Sequence, residues 1–148
     1  MKKQNTSRSI RVVAMDLLSR REHSAYELTQ KLKKRDFDID EIEAALELLQ
    51  QDNLQSDSRF IESVVNYRVN AGFGPIKIKY ELHQKGISAE RIDDYLSDLT
   101  VEWQQLMAAQ RSKKFGLDIP ADYKEKMKQA RFLQNRGFSP ESVMRLFR

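Results

Sequence analysis

The 148-residue chain has no cysteine. That absence removes disulfides, thiolate metal ligands and cysteine nucleophiles together, and it fits a reducing compartment, with the cytoplasm as the expected location. Glycine and proline are scarce, at five and three residues, which favours long regular elements over a loop-rich fold. No apolar run approaches the roughly eighteen residues of a membrane span, and the opening MKKQNTSRSI has lysines but no apolar stretch behind them. Membrane insertion and secretion are therefore not expected. The motifs HExxH, GxSxG, GxGxxG and the Walker-type glycine loop are all missing. Of the two histidines, His23 precedes a helix-cap pattern and His83 sits beside Leu82, positions that suit packing or surface roles better than catalysis. Adjacent carboxylates such as Asp93-Asp94 point about 100° apart on a helix and suit solvent. The expectation is a protein without enzymatic activity, metal or cofactor.

What is present is hydrophobic residues at 40% and charged residues at 32%, the mixture of a folded, strongly helical chain. The net charge of +4 is mild, but it is segregated. Residues 1–35 hold ten Lys/Arg against three Asp/Glu, residues 36–57 hold none against eight, and residues 101–148 hold ten against five. Basic ends attract a polyanion or an acidic protein surface, and the acidic block repels nucleic acid laid along the whole molecule. The same blocks also suit ordinary solvated helix faces.

Apolar spacing then fixes the elements. Ile10, Val13, Ala14, Leu17 and Leu18 follow one helix face. Ser24 with Glu27 three residues later is a capping-box pattern, behind which Leu28 and Leu32 continue one face until Lys33-Lys34-Arg35 loads the last turn. Asp38 and Glu41 offer the next cap, before a stripe of Ile42, Ala45, Leu46 and Leu49. Sliding by fifty positions places Leu28, Leu32, Ile42, Leu46 and Leu49 on Ile78, Leu82, Ile92, Leu96 and Leu99. The alternation IKIKY at 76–80 reads locally as a strand, but Pro75 at a helix start and the pairs Ile78–Leu82 and Ile76–Tyr80 decide for a helix.

The stretches KGISAE at 85–90 and RGFSPE at 136–141 are then one turn written twice. Glycine allows the left-handed backbone at a helix end, the next apolar residue folds back, and serine caps the following helix. In the first copy Asp36 stands where glycine is expected, which points to a turn of different shape. The third copy carries Trp103, Leu106 and Met107, then a connection with Gly116 and Pro120, then Met127, Ala130 and Leu133, then Val143 and Phe147. The expected fold is all-α: nine helices in three tandem three-helix repeats, forming an elongated or curved solenoid-like body. The expected divisions are a flexible tail at 1–9 and modules at 10–57, 58–100 and 101–148.

A candidate electropositive face follows from the later modules. Lys124, Lys128 and Arg131 recur at helical spacing, with Lys113, Lys114, Arg136, Arg145 and Arg148 elsewhere in the third module and Arg68, Lys77 and Lys79 in the second. Among the aromatics, Phe60, Phe132, Phe138 and Phe147 fall at or beside apolar stripes and suit the core more than base stacking, while Tyr67, Tyr80 and Trp103 are open to either.

Four stretches carry a resemblance to a known family: HSAYELTQKL at 23–32, NLQSDSRF at 53–60, GPIKIKYELHQKGIS at 74–88 and RFLQNRGFS at 131–139. Together they make the chain resemble the RecX family, bacterial regulators of the RecA recombinase. The resemblance implies three-helix repeats, no catalytic site, and binding to the filament of RecA on single-stranded DNA so as to limit its assembly, ATPase and strand exchange, and with them recombination, repair and the SOS response. A monomer is expected for a binder in a filament groove. Two other functions compete: a helical module that binds DNA directly, for which the acidic block is a handicap, and a helical-repeat scaffold for another protein.

Overall fold

A computed structural model describes residues 6–148, with side chains from Ile10 onward. Nine helices and no strands occur among the described residues: α1 (Thr6–Arg20), α2 (Ala25–Lys34), α3 (Ile39–Gln51), α4 (Asp57–Asn70), α5 (Pro75–Gln84), α6 (Ala89–Ser97), α7 (Trp103–Phe115), α8 (Tyr123–Asn135) and α9 (Pro140–Leu146). The IKIKY stretch lies inside α5, so the proline start and the i,i+4 pairs outweigh its alternation. Helix α1 begins at Thr6; residues 1–5 of the expected tail lie outside the described residues.

The helix ends follow the chemistry of their sequences. Ser24 caps α2, its Oγ accepting from the amide of Glu27 at 3.0 Å, and Ser139 caps α9 by accepting from the amide of Ser142 at 3.1 Å, with Pro140 in the first turn. Asp38 differs from expectation. Its backbone carbonyl starts α3 by accepting from Ile42 at 2.9 Å, but its carboxylate makes no capping bond. Asp36 also differs. It takes φ +69°, the left-handed backbone that Gly137 takes at +101°. Phe37 donates to Leu32 and Asp36 to Lys33, as Phe138 donates to Leu133 and Gly137 to Gln134. The first turn therefore has the same shape as the third, because aspartate is among the few residues that tolerate this conformation.

The chain divides into two compact units. The first takes the residues up to Ser63 together with Gln84–Ser88; the second takes Val64–His83 and Ala89–Arg148. In the first unit Ile10, Ala14 and Leu17 of α1, Leu28 and Leu32 of α2, and Ile42 and Leu49 of α3 form one core. In the second, Met107 of α7, Ala130 and Leu133 of α8, and Phe138, Val143 and Phe147 form another, with Trp103, Leu106, Phe132 and Leu146 at its margin.

Candidate functional site

The second unit holds the candidate site, which begins at the end of α4. The amides of Gly72 and Phe73 donate back to Val69 and Arg68, both at 2.9 Å, closing the helix and folding Phe73 onto its last turn. Arg68 lies over the rings of Tyr67 and Phe73 at 5.2 and 5.3 Å. Its guanidinium donates to both carboxylate oxygens of Glu81, at 2.6 and 3.2 Å. Those hydrogen bonds outweigh the cost of burial and raise its pKa above the usual arginine value.

Arg136, at the end of α8, takes the next step. It sits 5.0 Å from the centroid of Phe73 and 5.2 Å from that of Phe132, and donates to the carbonyl of Ala71 at 3.0 Å. Lys77 lies 5.4 Å from Phe73 and donates to the Asn135 carbonyl at 3.2 Å. Lys114 lies 5.5 Å from Phe132, whose ring also meets Phe115 edge-on at 5.4 Å. The result is an alternating series, Arg68, Phe73, Arg136, Phe132, Lys114. Each ring face offers partial negative charge to a cation, about 0.5–1 kcal/mol for each pair at such exposed sites, so Arg136 and Lys114 are held in place by rings and backbone, whereas Arg68 is also paired with Glu81.

Beside this series opens a cleft of about 250 Å³ lined by Ala71, Gln110, Lys113, Lys114, Phe132 and Arg136. Three of its six lining residues are cations and none is a carboxylate. Such a surface keeps its positive field for an incoming anion.

Of the eleven basic residues of the expected face Arg148 is exposed, and the other ten fall into three groups. Arg68, Lys77, Lys113, Lys114 and Arg136 gather around Phe73, Phe132 and the cleft. Lys124, Lys128 and Arg131 lie along one stripe of α8. Lys79 and Arg145 are turned to neighbouring carboxylates, Asp93 at 3.4 Å and Glu141 at 3.6 Å. Phe60, Phe138 and Phe147 are core residues, whereas Tyr67 and Tyr80 are exposed. Among the described residues no group of three or more His, Cys, Asp or Glu is placed to hold a metal ion, and no helix is long and apolar enough to cross a membrane.

Comparison with known proteins places this architecture. The family models described as the first, second and third three-helix domains of RecX match residues 11–49, 56–96 and 101–147. The chain belongs to the RecX family. It is 44% identical over 138 residues to the regulatory protein RecX of a Pseudomonas fluorescens strain, covering 93% of this chain and 89% of that protein. The RecX of Halorhodospira halophila is 42% identical over 93% of this chain and 85% of its own. A crystal structure of regulatory protein RecX superposes with a TM-score of 0.72 at 27% identity, over 93% of this chain and 71% of that one. The crystal structure of RecX from Lactobacillus salivarius shares the fold, with a TM-score of 0.76 at 23% identity and 94% coverage of each chain.

Membership of the RecX family gives the stretches that carried the resemblance a physical role in this chain. HSAYEL and NLQSDSRF meet in a buried polar network of the first unit. Gln55 donates to the His23 carbonyl and to Asp57, both at 3.1 Å, and Asp57 accepts from the amide of Ala25 at 2.8 Å. Glu27 is buried and accepts from Arg21 at 3.0 Å and from Lys85 at 3.2 Å. Burial alone would raise its pKa, but these two cations outweigh that and hold it at about 2. His23, also buried, lies 3.0 Å from the Arg21 carbonyl through Nδ1 and 3.0 Å from the Lys31 ammonium through Nε2. Burial, then the charges of Arg21 and Lys31, push its pKa down. His23 is thus a packing residue whose ring accepts from Lys31.

Proposed function

We propose that this RecX-family chain binds the RecA recombinase filament on single-stranded DNA and restrains its assembly, ATP hydrolysis and strand exchange, acting in the cytoplasm as a monomer and without catalysing a reaction. The observation that carries this reading is the cleft of Lys113, Lys114 and Arg136, whose cations face no lining carboxylate. A filament offers such a cleft two anionic surfaces, DNA phosphate and acidic side chains between recombinase subunits, and the relatives that match most of the chain are named regulatory proteins. Bound there, the helical modules bridge neighbouring recombinase subunits and obstruct strand entry or further subunit addition. The acidic stretch 36–57 faces a basic patch in this arrangement.

Strand exchange by purified recombinase, with this protein added up to stoichiometric amounts, tests the reading. A progressive loss of product supports it, and unchanged product at one-to-one overturns it.

The same cleft favours one other reading, direct binding of DNA, because phosphates alone would satisfy its cations. Gel shifts of single-stranded DNA with and without recombinase separate the two. Submicromolar binding to naked DNA, unaffected by recombinase, is the signature of the second.

A further inference from the structure

Arg111 is buried at 2% exposure in the third module, yet no carboxylate lies within ion-pair distance of it among the described residues. Its donors go mainly to backbone. Nη1 donates to the Asp118 carbonyl at 3.2 Å and to Oε1 of Gln129 at 3.1 Å; Nη2 donates to the carbonyls of Gly116 and Leu117, each at 3.0 Å. Gln129 is itself buried and is held by Glu125 at 3.3 Å.

Burying a guanidinium without a counter-charge is costly, and here the cost is offset by four hydrogen bonds that fix the course of the connection. What the side chain delivers is therefore shape. It pins three successive carbonyls of the α7–α8 connection inward, which turns the side chains between them outward. Leu117 is 85% exposed, the most exposed large hydrophobic side chain of the described residues, and Ile119 is 46% exposed. A Cβ placed on Gly116 would meet nothing within 4 Å, so the loop stands clear of the body at its base.

The tip sets the exposed Asp118 between Leu117 and Ile119, which repels phosphate, and it has no ring face for a base, so its partner is protein. Lys113 and Lys114 lie one turn before Leu117, both exposed and both on the cleft, and Lys124 is exposed just beyond the loop. We infer that Gly116–Pro120 is a preformed docking loop in which Arg111 holds Leu117 ready to enter an apolar pocket rimmed by carboxylates on a protein partner. Fixing the loop before binding lowers the ordering cost of association, which is the return on the buried charge. The partner is the recombinase, so this inference rests on the function proposed above.

Binding of the full chain to recombinase filaments is measured for the wild type, Leu117→Ser and Arg111→Met, with thermal melting of each. Leu117→Ser removes an exposed group and leaves the melt unchanged; filament affinity falls on the order of tenfold or more, as for a buried anchor residue. Arg111→Met leaves Oε1 of the buried Gln129 without its donor and lowers the melting temperature, affinity falls by a similar factor to Leu117→Ser, and hydrogen exchange speeds up across 116–119. Wild-type binding with an unaffected Leu117→Ser variant overturns the docking loop alone. Absence of wild-type binding overturns the functional reading and the docking loop with it.

Discussion

The amide of Gly74 donates to the Arg136 carbonyl at 2.7 Å, and a Cβ on Gly74 would stand 2.5 Å from the carbonyl oxygen of Gly137. The start of α5 thus rests backbone against backbone on the turn between α8 and α9, with Ile76 donating to Gly137 at 3.0 Å as well. The first unit repeats the arrangement, since Ser24, at the position equivalent to Gly74, donates its hydroxyl to the Lys85 carbonyl at 2.7 Å. Tyr26 stands where a Cβ on Gly86 would go. The repeated pairs Lys85-Gly86 and Arg136-Gly137 therefore serve two ends at once: they close one helix and receive the start of another.

Gly137→Ala should be among the most damaging small substitutions. It places a side chain at φ +101°, and its Cβ would lie 2.6 Å from Cβ and 2.7 Å from the amide nitrogen of Lys77. The backbone cannot yield as a flexible side chain would, so a loss of about 2–4 kcal/mol is expected in urea unfolding. Asp36→Gly, at the same left-handed position, should be neutral or stabilising by up to about 1 kcal/mol.

Acid should weaken the first unit in two steps of the same sign. Burial and the neighbouring charges of Arg21 and Lys31 depress the pKa of His23, so below its ordinary value of 6.5 the unfolded chain takes up the proton first and stability falls. Glu27 is held at about 2 against an ordinary 4.5, so its contribution is present in full above about 4.5 and is lost as pH falls toward 2. Its cationic partners are half exposed and screened, which limits that contribution to on the order of 1–3 kcal/mol. Melting of Glu27→Gln across pH should show lower stability near neutrality and a flatter acid limb.

Charges around the cleft should matter unequally. Lys113→Gln with Lys114→Gln removes two cations that face no lining carboxylate, and filament affinity is expected to fall on the order of tenfold. Lys79→Gln and Arg145→Gln remove cations already paired with Asp93 and Glu141, and a change below about twofold is expected. Binding isotherms at one fixed ionic strength distinguish the two cases.

If the cleft meets phosphate, salt should reveal it. Wild-type affinity would fall linearly with salt on logarithmic axes, and the slope would shrink by about one for each phosphate that the Lys113/Lys114 double variant no longer neutralises. An unchanged slope would show that those lysines neutralise no phosphate.

Most of the fold was legible because helix periodicity and cap chemistry are local. Ser24, Ser139 and Pro140 act where their types suggest, and the apolar stripes of α1 to α3 become the first core. The left-handed turn at Asp36 was not legible, because aspartate signals caps and turns of several shapes. The cleft was legible only in part. Lys113, Lys114 and Arg136 are readable as basic, but their convergence depends on how α7 meets α8, and Phe73 gave no sign of its role as the platform for Arg68, Lys77 and Arg136. Arg111 did leave a trace. It follows Trp103 and Met107 at four-residue spacing, so a charge occupies an apolar stripe, which signals a buried group whose donors must find acceptors.

The central claim is that the Lys113, Lys114 and Arg136 cleft acts on a recombinase filament. The direct measurement is ATP hydrolysis by recombinase on single-stranded DNA, with the wild type and the Lys113→Gln/Lys114→Gln variant titrated at fixed DNA and ionic strength. The account predicts inhibition by the wild type and a titration shifted on the order of tenfold to higher concentration for the variant. Equal inhibition by both, or none by the wild type, would contradict it.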